Sequence, residues 1–293
     1  MYTKRALFEL GVTGADFTES EQDQLDRQGF YIRKNYFTPA ACEEMATEFD
    51  RLSSIEGAQG GHEVHVEPGA PRVSNIFNKT AAYDRCLGIK PVLAAAHYLL
   101  GEIKVHGANL REPMKGQGHQ DLHVDVPKHF PEDWWVLNVI VTFDDMRLDN
   151  GPTRVIPGSH HWPPLNVAAV NRFDWSPKPL SPAEEKLIPT DLAAPYPGEV
   201  LVEAPKGSLI ICNSSIWHGG TRNLSGDRRR VLHLTYTRRD LPQQLVQRQH
   251  LTQATYERLD DVQRYFLDIE PVPAGAAILQ SARAPGATSD WWK

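Results

Sequence analysis

The stretch WWVLNVIVTF, residues 134–143, is the longest apolar run of the chain and the best starting point for its fold class. Aromatic and β-branched residues favour extended strands, so the run predicts a buried strand. It is interrupted by Asn138 and is far shorter than the ~20 residues that a membrane span requires. The region around it is therefore expected to form a β-structure that does not enter a membrane.

Six more short runs rich in β-branched or aromatic residues lie beyond residue 102, separated by turn residues such as Asp149-Asn150-Gly151. They are IKVHGANL (103–110), DLHVDV (121–126), PTRVIP (152–157), GEVLVEA (198–204), SLIICNS (208–214) and RVLHLTYT (230–237). Several short strands without intervening helices indicate an antiparallel sandwich or jelly roll. The fold class is therefore expected to be mainly β with flanking α, its β-core covering about 103–240.

Helix signals dominate the flanks of this core. Capping residues and stop residues predict helices over 18–29, from Thr38 onward and over 91–100, so about residues 1–102 are expected to be helical. The stretch LTQATYERLDDVQRYFLDIE (251–270) is also predicted to be helical, within a C-terminal extension of 241–293. We expect one elaborated domain over 1–293, with two domains as the alternative.

Two connections are expected to carry specificity. EGAQGGHEVHVEPGAPR, residues 56–72, is rich in Gly and His and predicts a mobile surface loop. The Pro-rich stretch 160–197 is long for a compact β-domain, predicts a short helix opening at Ser181, and suggests a lid. Four tryptophans are candidates for a pocket wall, although core packing is the commoner role of any one of them: Trp134, Trp135, Trp162 and Trp175.

Composition excludes some classes of partner. The formal net charge of −6 speaks against nucleic acid, whose phosphates require a broad basic surface. The three cysteines show neither a disulfide framework nor a metal-binding spacing, which fits a reducing compartment. With no secretory signal recognisable in MYTKRALFEL, a soluble, cytoplasmic protein is expected.

The stretch GHQDLHVDV, residues 118–126, contains two overlapping His-x-Asp pairs, His119 with Asp121 and His123 with Asp125. On a strand, alternate side chains share a face, so either pair could direct an imidazole and a carboxylate to one ion. The two pairs together span about 20 Å if extended, too far to serve the same ion. One isolated pair is weak support, because an exposed charged strand face is the commoner explanation.

A third candidate ligand follows almost a hundred residues later. His218 lies at the end of the apolar run of 208–214, beside two glycines that would let a ligand approach the backbone. Two histidines and one carboxylate on one face of a metal leave the opposite face open, as non-haem Fe(II) oxygenases require. In the next predicted strand, Arg229 shares a face with Val231 and His233, and a buried guanidinium there would need an anion to pair with.

These residues together resemble the phytanoyl-CoA dioxygenase family of Fe(II)/2-oxoglutarate oxygenases. The resemblance covers roughly residues 18–245 and rests on His-x-Asp, on NGPTRVIPGSH at 150–160, on NSSIWHGGTRN at 213–223 and on an Arg eleven positions after the last His. It implies a double-stranded β-helix, that is, a jelly-roll or cupin-like core with N-terminal helices. It also implies Fe(II), 2-oxoglutarate and O2 as reactants.

The resemblance also assigns roles. Many members read R-x-P-x-x-G-x-G-x-Q-x-L-H-x-D, which residues 111–125 match, so His123, Asp125 and His218 are the expected metal ligands. The alternating aliphatic residues around the second His-x-Asp pair favour the same choice, with His119 and Asp121 as the alternative. The expected contacts of 2-oxoglutarate are Gln120, Thr153 and Arg229, and Asn75 is a weaker candidate whose ordinary role would be that of a turn amide.

The expected activity is therefore oxidation of a small molecule with release of succinate and CO2. Related halogenases have a small residue where this chain has Asp125, so hydroxylation or a related oxidation is favoured. Two alternatives remain: a cupin-type metal-dependent isomerase or hydrolase that works without O2, and a non-catalytic binding module. The substrate and the oligomeric state cannot be read from the sequence.

Overall fold

The computed structural model describes residues 1–165, 179–270 and 278–280. In this part of the chain, nine strands form two antiparallel sheets, flanked by nine α-helices. The strands are β1 (Phe30–Arg33), β2 (Arg72–Val73), β3 (Ile103–Arg111), β4 (Val136–Thr142), β5 (Thr153–Val155), β6 (Val200–Leu201), β7 (Leu209–Asn213), β8 (His218–Gly220) and β9 (Val231–Arg238).

The helices lie at both ends of the chain, and one interrupts the β-region. They are α1 (Thr3–Glu9), α2 (Glu19–Gln28), α3 (Pro39–Glu56), α4 (Ile76–Lys79), α5 (Lys90–Leu100), α6 (Pro182–Glu185), α7 (Gln247–His250), α8 (Gln253–Arg258) and α9 (Asp261–Leu267). None of the described helices is long and apolar enough to cross a membrane.

Two facing sheets form the jelly roll. The larger has the strand order β1-β7-β4-β9-β3-β2 and the smaller the order β6-β5-β8. Between them lies an apolar cluster to which both sheets contribute, including Ile140 and Ile210 from the large sheet and Val155 from the small one. The predicted double-stranded β-helix is confirmed.

The outer face of the large sheet packs under the helices. Alternate residues of β9 separate the two sides: Leu232 and Leu234 join the helix-side core, and Val231 joins the cluster between the sheets. The face predicted for Arg229 and Val231 is therefore the inside of the jelly roll. WWVLNVIVTF forms β4, whose seven residues are all buried.

The start and the end predicted for the helix over 18–29 are confirmed. Thr18 and Glu21 form a capping box at the start of α2, and Gly29 ends that helix in the left-handed conformation at φ 83°. The expectation that the first hundred residues are helical is wrong for β1 and β2. The run that begins at Phe30 directly follows Gly29 and pairs with β7, since that strand had a free edge.

Three further expectations need correction. The segment 251–270 forms two helices, because Asp260 caps the second one by accepting a hydrogen bond from the Gln263 N–H. The predicted strand over 198–204 contracts to the two exposed residues of β6. The loop 56–72 is partly buried, and Val64, His65 and Arg72 face the central cavity.

The connection 160–197 was expected to act as a lid. Its predicted helix is α6, capped by Ser181. Apolar residues of the described part 179–197 pack beside Leu122 and Trp217, and no residue of 179–197 lines the cavity. This portion therefore lies behind the segment of the His-x-Asp pairs, while Trp175 falls outside the described residues.

Candidate metal centre and active-site cavity

The segment 121–126 lies beside β8 in space but does not form a strand. One isolated bridge joins His123 to His218, the first residue of β8, and the N–H of each donates to the carbonyl of the other at 2.9 and 3.0 Å. The neighbouring N–H of Leu122 donates to the carbonyl of Leu192 instead. The prediction of a strand is wrong, because successive backbone groups here bond to different segments rather than to one ladder.

The three side chains expected to bind metal converge at this bridge. His123 Nε2 lies 3.7 Å from Oδ1 of Asp125, and His218 Nε2 lies 3.6 Å from the same oxygen. The two imidazole centroids are 4.5 Å apart. One ligand atom from each residue lies within 4.8 Å of the others, so a single ion at ordinary ligand distances of about 2.1 Å can contact all three.

Backbone carbonyls orient both imidazoles. Nδ1 of His123 lies 2.7 Å from the carbonyl of Asp121, and Nδ1 of His218 lies 3.0 Å from the carbonyl of Ile216. Because a carbonyl can only accept, each Nδ1 carries the hydrogen and each Nε2 keeps its lone pair. Both rings are thus held in the tautomer that a metal ligand needs.

The alternative pair lies towards the surface. His119 Nε2 is 3.6 Å from Oδ1 of Asp121, and these side chains are 32% and 65% exposed. Among the described residues, no third ligating group comes close enough to complete a site with them. The donor set of this pair does not fit a three-ligand metal centre.

A second cluster of potential ligands lies under the loop 56–72. Glu56, His62 and Glu63 bring their ligand atoms within 4.8 Å of one another, but Lys79 lies between the two carboxylates. Its Nζ is 2.5 Å from Glu56 and 2.7 Å from Glu63. The ammonium group already supplies the positive charge here, so this cluster is a buried ion-pair network.

A cavity of about 280 Å³ opens directly from the three converging side chains. Gln120 and Thr153 line it as well, on either side of Gly220: Thr153 is the register partner of Gly220, and the Gln120 N–H donates to the Gly220 carbonyl at 2.9 Å. Both residues expected to contact 2-oxoglutarate therefore border the same cavity as the candidate metal ligands.

The two glycines after His218 have a different role from the one expected. A Cβ on Gly219 would lie 2.7 Å from the Gln120 carbonyl, and one on Gly220 would lie 2.5 Å from the Gly118 carbonyl. The close approach is made by the backbone of the His-x-Asp segment rather than by a ligand. The glycines let that segment lie against β8 and so bring His123 next to His218.

Arg229 is a buried cation without a partner among the described residues. It is 1% exposed, and its Nε and Nη2 make no hydrogen bond there. Burial and the nearby charge of Arg111 lower the pKa of Arg229 to about 9. Arg229 is not itself among the residues lining the cavity, whereas Arg111 and His233 are; the charge of Arg111 lowers the pKa of Arg229, and burial together with the charges of Arg111 and Arg229 keeps the pKa of His233 well below its ordinary value.

Glu67, the acidic residue with the largest electrostatic effect on Arg229, is already bound by two other arginines. Burial alone would raise the pKa of Glu67, but hydrogen bonds and charges from Arg111 and Arg72 lower it to about 2. Arg111 holds both carboxylate oxygens, at 2.9 and 2.6 Å, and Arg72 donates to one at 2.7 Å. The surplus of positive charge beside the cavity fits a bound dicarboxylate.

Asn75, the weaker candidate, lies elsewhere. It is 2% exposed, adopts the left-handed conformation at φ 56°, and accepts a hydrogen bond from Asn78 at the start of α4. It does not line the cavity. Asn75 therefore has the structural role of a turn amide at the start of α4.

Sequence reasoning missed several polar residues of the cavity wall. His106, Asn138 and Gln244 line it, and in the sequence Asn138 is visible only as an interruption of an apolar run. A polar side chain within such a strand was a usable signal. Of the three candidate tryptophans that the structure describes, Trp135 lines the cavity, whereas Trp134 and Trp162 pack elsewhere, against His160 and Trp217.

Comparison with known proteins agrees with this geometry. L-proline trans-4-hydroxylase from Streptomyces griseoviridis is 28% identical over 197 residues, which is 60% of this chain and 71% of that protein. Ectoine dioxygenase from Bordetella bronchiseptica is 25% identical over 224 residues, 72% of each chain.

A solved structure shows the same fold. HygX from Streptomyces hygroscopicus, crystallised with nickel, 2-oxoglutarate and hygromycin B, superposes with a TM-score of 0.57 at 14% identity, over 78% of this chain and 90% of that one. At this identity the match supports the fold alone.

The family assignment rests on the sequence model of the phytanoyl-CoA dioxygenase family, which matches residues 25–231. This span includes both histidines and the aspartate of the candidate metal centre, as well as Arg229. The expectation of a dioxygenase using Fe(II), 2-oxoglutarate and O2 is confirmed at the level of the family. The chain belongs to the phytanoyl-CoA dioxygenase family.

Proposed function

We propose that His123, Asp125 and His218 bind Fe(II), and that the enzyme hydroxylates or otherwise oxidises a small molecule with release of succinate and CO2. The observation that carries the proposal is the convergence of the three ligand atoms within 4.8 Å at the wall of a cavity. The backbone carbonyls that fix both Nδ1–H groups support it further.

The co-substrate 2-oxoglutarate is proposed to lie between the metal and Arg229, with Gln120 and Thr153 beside it. Fe(II) held by these residues would activate O2, with O2 as the oxidant and 2-oxoglutarate as the co-reductant: one oxygen atom would be used in converting 2-oxoglutarate to succinate and CO2, and the other in oxidising the substrate. The unpaired guanidinium of Arg229 gives the distal carboxylate a fixed partner, and formation of that pair removes the unfavourable burial of an isolated charge.

The protein's own contribution is orientation and exclusion of water. His123 and His218 hold their Nε2 lone pairs towards one point, and Asp125 adds a negative charge that favours a divalent cation. Trp135, Val126 and Leu241 line the cavity and keep it apolar next to the metal centre. A carboxylate at Asp125 fills the position that a halide would need, which favours hydroxylation over halogenation.

The test is succinate formation from 2-oxoglutarate by the Fe(II)-loaded protein with a panel of small molecules in air and under nitrogen. We expect succinate release that requires O2 and that is lost in Asp125→Ala. The matched control is Asp121→Ala, which removes the other carboxylate of the segment. Turnover of a substrate under nitrogen without 2-oxoglutarate would instead indicate a cupin-type isomerase or hydrolase.

A further inference from the structure

A β-bulge shapes the part of the cavity that is left for the substrate. In β3, Val105 pairs with Tyr236 and Gly107 pairs with Thr235, so His106 is an extra residue without a partner in β9. Val105 and Ala108 both point into the helix-side core. The bulge therefore turns two consecutive residues, His106 and Gly107, towards the cavity side.

Gln244 fills the space that Gly107 leaves open. A Cβ on Gly107 would lie 2.3 Å from Oε1 of Gln244. That oxygen accepts a hydrogen bond from Nδ2 of Asn109 at 2.8 Å, and Oδ1 of Asn109 in turn accepts from the Ser74 hydroxyl at 2.7 Å. This chain fixes the orientation of the Gln244 amide and leaves its Nε2 as a donor.

His106 is a second neutral donor. Its Nδ1 accepts the backbone N–H of Gln244 at 3.1 Å. Burial lowers the pKa of His106 to about 4, so the ring is uncharged at neutral pH and its hydrogen resides on Nε2. The other tautomer would donate to the Pro242 carbonyl at 3.2 Å, but it would place two hydrogens against each other and leave the Gln244 N–H unpaired.

Asn138 supplies an acceptor. It lies on the inner face of β4, between Cys212 of β7 and Thr235 of β9. Its side chain is 6% exposed, and its Oδ1 is buried without a hydrogen-bond partner among the described residues. An unsatisfied buried acceptor beside a cavity calls for a donor on the molecule that fills it.

Each charged residue of the described cavity wall either forms an ion pair or belongs to the proposed metal centre. Arg72 and Arg111 hold Glu67, and Asp125 belongs to the proposed metal centre. Arg229, which does not line the cavity, is assigned to 2-oxoglutarate. Each charged side chain of the described wall is thus paired with Glu67 or proposed to bind the metal, and none is left to pair with an ammonium or a carboxylate of the substrate. Burying such a group without a partner would be strongly unfavourable.

We propose that the substrate is an uncharged polar small molecule. Its carbonyl or hydroxyl oxygen accepts hydrogen bonds from His106 and Gln244, and a hydroxyl or N–H donates to Asn138. Its carbon skeleton packs on the apolar wall formed by Trp135 and Leu241. This inference rests on the proposed function, because it assumes that the same cavity holds the metal and 2-oxoglutarate.

The test compares two sets of probes on the protein loaded with Fe(II) and 2-oxoglutarate under nitrogen. The uncharged set is 2-pyrrolidone, δ-valerolactam and cyclohexane-1,2-diol; the zwitterionic set is L-proline, L-pipecolic acid and ectoine. Ligand-observed NMR measures binding, and admission of air then measures succinate. We expect uncharged probes to bind and to raise succinate release, and the zwitterions to do neither.

The variants His106→Phe, Gln244→Met and Asn138→Leu should each weaken the bound uncharged probe about tenfold, the effect of one lost hydrogen bond. Gln24→Met, on helix α2, which contributes no residue to the cavity wall, is the matched control and should leave binding unchanged. His106→Gln keeps a donor and should recover part of the affinity, which separates loss of the contact from damage to the fold.

Tighter binding of the zwitterions, no binding of any uncharged probe, or variants indistinguishable from the control would overturn the substrate class. A calorimetric titration with Fe(II) and 2-oxoglutarate, made before any probe is added, separates the two proposals. Failure there overturns the proposed function and this inference with it, whereas intact binding combined with a preference for zwitterions overturns the substrate class alone.

Discussion

Two His-x-Asp pairs lie four residues apart in one short segment, and their surroundings differ completely. His123 and Asp125 form the inner pair. His123 is joined to β8 by a bridge, and the Asp125 carboxylate lies close to the imidazoles of both His123 and His218. In the part of the chain that the structure describes, the His119 imidazole and the Asp121 carboxylate approach each other without a third ligating group, and their side chains are 32% and 65% exposed. The comparison shows that the neighbouring strand, rather than the ligand pattern itself, distinguishes the two pairs.

The largest effect should come from removing the inner carboxylate. Asp125→Ala should lower Fe(II) affinity by more than the roughly 10–100-fold typical of residues that only support a metal ligand, and succinate formation should be lost with it. Asp121→Ala should stay within about twofold, since its carbonyl, which orients His123, is unchanged. Calorimetric Fe(II) titration measures both; equal losses would remove the distinction between the pairs.

Arg229 offers a second comparison, with its neighbour Arg228. Arg228 is about half exposed and pairs with Asp50 and Glu112. Arg229→Met should weaken 2-oxoglutarate binding about 100-fold, because the bound carboxylate loses a buried charged partner. Arg228→Met should leave this binding unchanged.

The thermal stability of the Arg229→Met and Arg228→Met variants can also be measured in the absence of 2-oxoglutarate. In the ligand-free protein, Arg229→Met should leave the Tm unchanged or raise it, because an isolated buried charge is removed. Thermal unfolding with and without 2-oxoglutarate checks this. A large drop in the Tm of the ligand-free variant would show that Arg229 has a structural partner instead.

Arg154 tests how the inner pair is held in place. It is 2% exposed, and its guanidinium donates to the carbonyls of Gln120, Leu192 and Ala194 at 3.1, 2.8 and 2.8 Å. We expect Arg154→Met to reduce Fe(II) affinity about tenfold with the three ligands intact, as a positioning residue would. Arg147→Met, at an exposed ion pair, is the control, and equal Fe(II) affinities in the two variants would contradict the role.

The last prediction concerns folding stability in acid rather than binding at the site. Because the pKa of Glu67 is lowered to about 2, its ion pairs contribute stability that is present above the unfolded pKa of about 4.5 and is lost as the pH falls towards 2. The contribution is on the order of 3 kcal/mol. Urea unfolding of wild type and Glu67→Gln should show a difference at pH 7 that shrinks between pH 4 and 2; a difference independent of pH would contradict it.

Much of the fold was predictable from local patterns. The capping box at Thr18 and the apolar runs of β4 and β9 needed only propensity and spacing. The strand β1 was missed, because a four-residue run after a helix becomes a strand only when β7 offers an edge. The strand predicted over 121–126 does not form. Its polar and aliphatic side chains alternate as in a strand, but its backbone N–H groups donate to several different segments instead of to one neighbouring strand.

The sequence indicated the candidate metal ligands more completely than the other residues that line the cavity. The family pattern and the aliphatic neighbours of His123 indicated the inner pair, which is the pair that the structure places beside His218. His106 could not be assigned, because a bulge decides where its side chain points. Gln244 contributes through the missing side chain of Gly107, a contact between β3 and a segment beyond β9 that no local pattern shows.

Anomalous diffraction at the iron edge, from crystals grown anaerobically with Fe(II) and 2-oxoglutarate, tests the central claim most directly. The proposal predicts one strong peak about 2.1 Å from Nε2 of His123, Nε2 of His218 and a carboxylate oxygen of Asp125, with 2-oxoglutarate extending towards Arg229. A peak at His119 and Asp121, or at Glu56 and Glu63 in place of the Lys79 ammonium, would contradict it.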